Sequence, residues 1–156
     1  MVKQYGELYR DARRALLTTE DPQTAGMMAR HLLCKLTGKT QEALLSNQEL
    51  YASEQICHQV DDAVRRLLLG EPFPYVLGEW EFYGLPLKVT RDVLIPRDDT
   101  CAVADLAIRN ALFLDQDPRI LDLCCGSGCI GLAIASRVKD ARVTLADLRQ
   151  KALAVA

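Results

Sequence analysis

The stretch Ile120-Leu-Asp-Leu-Cys-Cys-Gly-Ser-Gly-Cys-Ile-Gly131 decides the fold of this chain. Residues 119–123 form a short apolar run that predicts a buried strand, and residues 131–135 continue as a helix of small side chains. Between them lies a segment that we name the glycine turn, residues 124–128, where glycines permit a tight bend and close approach of a ligand. A strand, a glycine turn and a helix make up half of a nucleotide-type binding site.

The same letters fit two classes of cofactor. Gly126, Gly128 and Gly131 spell the dinucleotide fingerprint, and Asp147 follows at about the 20-residue interval expected of a ribose-binding acid. Asp122 separates the classes, because it precedes the turn where a dinucleotide places its doubly negative pyrophosphate. Like charges in a poorly solvated crevice repel by an energy on the order of several kcal/mol. The sequence therefore disfavours a dinucleotide.

A carboxylate at this position favours S-adenosylmethionine, because the sulfonium and ammonium groups of that cofactor are cationic. Asp122 is expected to hold them directly or by orienting the amides of the turn, while Asp147 accepts the ribose hydroxyls. Three simpler interpretations stay open: a tight connection without a ligand, Asp122 as an anion at a helix N-terminus, and Asp147 as the cap of a helix near Arg149. The prediction of a cofactor site rests on the combination of these residues.

Composition excludes several other classes of protein. The chain has 156 residues, 49% of them hydrophobic, which is typical of a globular protein. Its net charge of −2 with 26% charged residues gives no polycationic surface, so direct nucleic-acid binding is not expected. No apolar signal core and no run of membrane-spanning length is present, so the expected location is cytoplasmic.

Six cysteines occur, and three of them lie in or beside the glycine turn, namely Cys124, Cys125 and Cys129. They form no C-x-x-C pair, and both histidines are far away in sequence, so we predict free thiols and no metal site. Cys124 and Cys125 are interpreted as small residues that fit beneath a ligand. Cys34 and Cys57 fall in helical patterns and are predicted to lie in the core.

Apolar residues at three-and-four spacing predict a helical first half. Four helices are expected from this spacing and from their caps: one through Tyr5 to Leu16, one from Asp21-Pro22 to near Gly38, a short one from Thr40 to about Leu45, and one from Asn47 or Ser53 to Gly70. From Glu71 the periodicity changes, and the proline-rich residues 71–78 are predicted to break the helix.

The second half predicts strands alternating with helices. Residues 80–83 and 85–90 indicate a hairpin around Gly84, and Asp99 or Thr100 caps a helix through Ala111. Strands over 119–123 and 142–146, each followed by a helix, predict a parallel α/β sheet with its ligand at the carboxyl ends of the strands. Two strands leave open edges, so we expect part of a larger domain and self-association through those edges.

Three further segments are diagnostic in combination with the glycine turn. They are Leu68-Leu-Gly-Glu-Pro-Phe-Pro-Tyr-Val-Leu-Gly78, Glu81-Phe-Tyr-Gly-Leu-Pro-Leu87 and Leu94-Ile-Pro-Arg-Asp-Asp-Thr100. Together these residues resemble the HemK/PrmC family, the S-adenosylmethionine-dependent protein-(glutamine-N5) methyltransferases that modify peptide chain release factors.

The resemblance implies an α/β protein in three parts. Residues 1–72 would be a small helical bundle that docks the release factor, residues 73–92 a linker with a β-hairpin, and residues 93–156 the first part of a Rossmann-like methyltransferase domain. The resemblance also implies that the glycine turn surrounds the methionine part of the cofactor. The implied cofactor-binding residues are Asp122, Cys124, Cys125, Gly126, Ser127, Gly128 and Asp147.

The chain departs from the family pattern in three places. The signature Asn-Pro-Pro-Tyr, which holds the target glutamine amide, is absent from the 156 residues, so no catalytic residue is assigned and no turnover by this chain alone is expected. Asp98 replaces a usual proline and Cys101 a usual glutamate, which leaves Arg97 open as an active-site residue or a structural ion-pair partner. The alternative functions are a fragment of an NAD-dependent oxidoreductase and a non-catalytic docking module.

Overall fold

A computed structural model describes residues 2–113 and 117–156. The chain folds as two units, Met1–Leu77 and Gly78–Ala156. The limits predicted from the sequence, after residues 72 and 92, stay predictions. None of the helices in the described part of the chain combines the length and the apolar character that crossing a bilayer requires.

The first unit contains five helices within its described residues: α1 Tyr5–Leu16, α2 Pro22–Thr37, α3 Gln41–Ser46, α4 Glu54–Leu68 and α5 Phe73–Leu77. The four predicted helices are confirmed, and their caps explain their bounds. The Asp21 carboxylate accepts hydrogen bonds from the first turn of α2, and Gly38, at φ +65°, ends that helix. The Ser53 hydroxyl accepts the Ile56 N–H at 3.2 Å, so Ser53, and not Asn47, is the cap from which α4 starts at Glu54.

The core of this unit is formed by α1, α2 and α4. Its largest fully buried side chains are aliphatic: Leu8, Leu16, Leu32, Leu33 and Val60. Cys57 is buried as predicted, whereas Cys34 is only half-buried. Burial of such apolar faces supplies most of the stability of helices this short.

Helix α5 is the element that the sequence prediction missed. Residues 71–78 do end α4, but Pro72 and Pro74 stand before and within the first turn of a new helix, where a missing N–H leaves no bond unmade. Arg66 fixes this connection, because its Nε and Nη2 donate to the two carboxylate oxygens of Glu71 at 2.8 and 2.7 Å. A bidentate pair of this kind holds a defined geometry.

The second unit begins with the predicted hairpin, strands β1 Glu79–Phe82 and β2 Leu85–Lys88. Tyr83 and Gly84 both have positive φ, +56° and +78°, as a two-residue type I′ turn requires. The Tyr83 hydroxyl donates to the Asp105 carboxylate, and the Arg137 guanidinium lies 5.3 Å from the centre of the Tyr83 ring. The hairpin turn is thereby attached to the two helices that carry Asp105 and Arg137.

The remaining elements follow in the predicted alternating order. A short 3-10 turn, Asp98–Thr100, leads into α6 Cys101–Phe113; then come β3 Arg119–Leu123, α7 Cys129–Arg137, β4 Arg142–Ala146 and α8 Gln150–Leu153. Strands β3 and β4 pair in parallel, with Asp122 opposite Leu145 and Leu123 opposite Ala146. This is the predicted α/β arrangement, and it brings the glycine turn and Asp147 to the same carboxyl edge of the sheet.

The prediction that residues 119–123 form a wholly buried strand is wrong for one face. Leu121 and Leu123 are 60% and 69% exposed, whereas Ile120 packs against a core cluster formed by α6 and α7. Side chains of a strand alternate between faces, so a helix packed on one face covers only every second residue. The predicted self-association through this sheet stays a prediction.

Helix α6 packs through one face and exposes apolar residues on the others. Ala104, Ile108 and Ala111 are its buried residues, while Val103 and Leu106 are 53% and 60% exposed. The helix is therefore apolar on more than its packed face, which is why the sequence pattern alone did not identify the buried side.

Candidate cofactor site

The glycine turn connects the end of β3 to the start of α7 in a sharply bent backbone. Cys124, Gly126 and Gly128 have φ of +63°, +54° and +73°, a region in which a side chain costs about 1 kcal/mol or more. The Cys125 N–H donates to the carbonyl of Ala146 at 3.0 Å, and the Gly128 N–H donates to the carbonyl of Cys125 at 2.7 Å. The turn is therefore tied both to itself and to the end of β4.

Asp147 closes the turn from the β4 side. Its Oδ2 accepts the Gly126 N–H and its Oδ1 accepts the Arg149 N–H, each at 2.9 Å. The hydrogen bond from Arg149, and next the one from Gly126, lower the pKa of Asp147 below its ordinary value. Arg149 is itself the N-cap of α8, so Asp147 orders the residue before that helix and does not cap the helix directly. Each carboxylate oxygen keeps a further lone pair, so Asp147 can hold the turn and still accept a ligand hydroxyl.

Asp122 closes the turn from the β3 side. Its Oδ2 accepts the N–H of Gly131 at 2.9 Å, the third residue of α7. This contact confirms the interpretation of Asp122 as an anion at a helix N-terminus. This contact also bears on the cofactor, because one of the first helix amides that would bind a pyrophosphate already has an anionic partner.

Gly126, Gly128 and Gly131 have different surroundings, which give different reasons for the absence of a side chain. A Cβ on Gly131 would lie 2.4 Å from Leu145 Cδ2, and one on Gly128 would lie 3.0 Å from Leu145 Cδ1, so both glycines let α7 pack closely on β4. A Cβ on Gly126 would meet no atom within 4 Å. The side of the turn at Gly126 is thus open to a ligand.

The cysteines of this region divide into two kinds. Cys125 is buried together with Ser127, at 7% and 5% exposure, whereas Cys124 is exposed. Burial raises the pKa of the Cys125 and Cys129 thiols, so both are uncharged at neutral pH. Among residues 2–113 and 117–156, no three His, Cys, Asp or Glu side chains gather in a way that could hold a metal ion.

The structure thus brings the seven predicted cofactor-binding residues to one edge of the sheet. They are the five residues of the turn, Asp147, which is hydrogen-bonded to Gly126 of the turn, and Asp122, which is hydrogen-bonded to Gly131 of α7. Arg97 is exposed and precedes the 3-10 turn Asp98–Thr100. The sequence analysis did not identify the role of Leu145, whose two methyl groups face Gly128 and Gly131. The one sequence feature that pointed to Leu145 was its place in the strand that precedes Asp147.

Comparison with known proteins finds two family matches. Residues 7–78 match the PrmC N-terminal domain, and residues 106–156 match the methyltransferase small domain. The release factor glutamine methyltransferase of Vibrio cholerae is 38% identical over 125 residues, which cover 80% of this chain and 43% of that protein. The enzyme of the same name from Escherichia coli is 34% identical over 153 residues, covering 98% of this chain and 53% of that protein. The chain spans about half the length of these curated relatives.

A helical unit followed by part of a Rossmann-like methyltransferase domain is therefore the architecture of this chain. These matches confirm the resemblance to the HemK/PrmC family that was noted in the sequence.

Replacing Gly131 by Ala should lower the free energy of unfolding by about 1–3 kcal/mol, because the new Cβ overlaps Leu145 Cδ2. Urea unfolding followed by circular dichroism measures the change. As a matched control, Leu145→Ala in the Gly131→Ala background removes the overlapping methyl groups, so the pair should cost less than the sum of the two single changes. Strict additivity would contradict the proposed contact.

The stability contributed by Asp147 should depend on pH in the acid range. Because its folded-state pKa lies below the ordinary value of 3.8, the contribution is present above that value and disappears as pH falls through the folded pKa. The difference in melting temperature between the wild type and Asp147→Asn should therefore be largest near neutral pH and shrink below about pH 4. The exposed Asp92, changed to Asn, serves as the control. A difference that stays constant with pH would refute this account.

Proposed function

We propose that this chain supplies the cofactor half-site and the docking unit of an S-adenosylmethionine-dependent enzyme that methylates the glutamine side-chain amide of peptide chain release factors. The names of its relatives support the reaction and the substrate class. The match of residues 106–156 to a methyltransferase domain supports the cofactor.

The observation that carries the proposal is the hydrogen bond from the Gly131 N–H to Asp122 Oδ2 at 2.9 Å. It places a negative charge and a satisfied amide at the N-terminus of α7. A dinucleotide-binding turn needs the opposite, namely free amides and no carboxylate where the pyrophosphate lies. This contact favours a cationic methyl donor over NAD, and with it a methyltransferase over an oxidoreductase.

The roles we propose for the site residues follow from their geometry. Asp147 accepts the ribose hydroxyls with the lone pairs left free by Gly126 and Arg149. The open side of Gly126 receives the methionine part of the cofactor, and the buried Cys125 and Ser127 form the floor beneath it. The negative charge of Asp122 attracts the sulfonium and ammonium groups of the cofactor, while its Oδ2 accepts the N–H of Gly131.

The bound cofactor supplies an electrophilic methyl group on a positively charged sulfur. A glutamine amide is a poor nucleophile because its nitrogen lone pair is delocalised into the carbonyl. Methylation therefore depends on groups that accept hydrogen bonds from the NH₂ and align its nitrogen with the methyl group, and the nitrogen loses a proton as the new bond forms. We assign none of the residues of this chain to that role.

The 156-residue polypeptide alone should show no methyl transfer. Its sequence has no Asn-Pro-Pro-Tyr to hold the target amide, and misalignment of the reacting atoms is costly in rate. Incubation with a bacterial release factor and methyl-labelled cofactor, followed by mass spectrometry of the release factor, measures this. A methylated glutamine produced by these 156 residues would show that the alignment comes from residues present here.

The cofactor assignment predicts that this protein binds S-adenosylhomocysteine and not NAD, as measured by isothermal titration calorimetry. Asp122→Asn tests the contribution of the charge, because the amide oxygen of asparagine can still accept the Gly131 N–H while the negative charge is lost. We expect it to fold as the wild type does and to bind S-adenosylmethionine about tenfold more weakly. Heat with NAD alone would reject the proposal, and unchanged affinity of Asp122→Asn would reject the electrostatic argument for it.

A further inference from the structure

A small cavity of about 170 Å³ opens on the helical unit between α1, α2 and α3, away from the glycine turn in sequence. Its lining includes two tyrosines, three leucines and one arginine: Tyr5, Tyr9, Leu33, Leu44, Leu45 and Arg30. Apolar cavities of about 150 Å³ in other proteins bind one benzene-sized group. The cavity therefore has room for one leucine-sized or aromatic side chain.

The walls of the cavity are held firmly. Leu33 and Leu44 are buried, at 2% and 9% exposure, and form its floor, whereas Leu45 is 57% exposed at its rim. The Gly6 N–H donates to the carbonyl of Gln48 at 3.0 Å, and a Cβ on Gly6 would lie only 3.2 Å from Gln48 Cβ. This close backbone approach fixes the segment after α3 against α1, so the cavity is formed before any partner arrives.

Arg30 is the only charged residue among the described residues that line the cavity. Arg30 is half-buried in the wall and forms no salt bridge with any residue in the described ranges, and the lining contains no carboxylate. The Lys39 ammonium group lies 5.9 Å from the centre of the Tyr5 ring, which adds a second cation beside the cavity. A partly desolvated guanidinium without an anionic partner favours a ligand that brings a carboxylate.

We infer that this cavity is the docking point for the protein substrate, and that its occupant is a segment of the release factor with an apolar side chain next to an acidic residue. The apolar side chain enters between the tyrosine rings and the leucines, and the carboxylate pairs with Arg30. The inference rests on the proposed function for the identity of the partner, and it adds the surface and the chemistry by which that partner is held. An apolar anchor in a pocket with a charge at its edge is the usual form of a binding hot spot.

Binding of a purified bacterial release factor to the whole chain, measured by calorimetry, tests the inference. Leu45→Asp puts a negative charge at the rim, and Arg30→Gln removes the pairing cation; each should weaken binding about tenfold. The matched controls are Leu69→Asp and Arg65→Gln, which alter an exposed leucine and an exposed arginine of α4 and its C-terminus, outside the cavity lining. Both controls should bind as the wild type does.

A salt titration adds a readout that loss of packing would not produce. Binding by the wild type should weaken as salt rises, and Arg30→Gln should show a shallower dependence because it lacks the charge that salt screens. Wild-type affinity in both cavity variants, or no binding of the release factor at all, would overturn the inference. Titration of the same preparations with S-adenosylhomocysteine separates the two proposals, because retained cofactor binding leaves the methyltransferase assignment standing when the docking surface fails.

Discussion

Two carboxylates hold the glycine turn, one from each strand of the parallel pair, and the arrangement of the site depends on them. Asp147 accepts the N–H of Gly126 within the turn, and Asp122 accepts the N–H of Gly131 in the first turn of α7, so each strand holds a different part of the strand-to-helix connection. Backbone N–H groups at a strand-to-helix turn have no partner within the helix, and they must find acceptors or water. Here the acceptors are anionic: the Asp122 carboxylate occupies one of the first amides of α7, whereas the side of the turn at Gly126 has no atom within 4 Å of a Cβ position.

The same constraint explains why the sheet register matters to function. Parallel pairing with Asp122 opposite Leu145 brings the carboxyl ends of β3 and β4 level, so Asp147 reaches the turn with no intervening segment. A shift of one residue would turn Asp122 toward the uncovered face and Leu121 toward α7. The packing of Ile120 of β3 against the core cluster of α6 and α7 therefore also determines on which face the Asp122 carboxylate lies.

Much of this could be predicted from local patterns, since capping residues, type I′ turns and strand periodicity act over a few residues. The Asp21-Pro22 cap, the hairpin around Gly84 and the strand before the glycine turn are examples. Tyr83 was predicted to belong to the first strand of the hairpin and lies in its turn. Helix α5 was missed because two prolines indicate a break and do not reveal that a new helix starts at once. The buried face of α6 and the roles of Gly128 and Gly131 were beyond reach, because they depend on Leu145 and other side chains distant in sequence. The sequence placed Asp122 beside the turn, but only the fold shows which amide it binds.

Leu145 has a consequence for how this site can change over evolutionary time. One methyl group of its side chain faces Gly128 and the other faces Gly131, but only at Gly131 does the contact alone exclude a side chain, because Gly128 also has a φ of +73°. A smaller residue at 145 would relieve the closest contact of an alanine at 131 but would open a void under α7, and a larger one would push the helix outward. Positions 131 and 145 should therefore covary among homologues, so that a larger residue at 131 occurs together with a smaller one at 145.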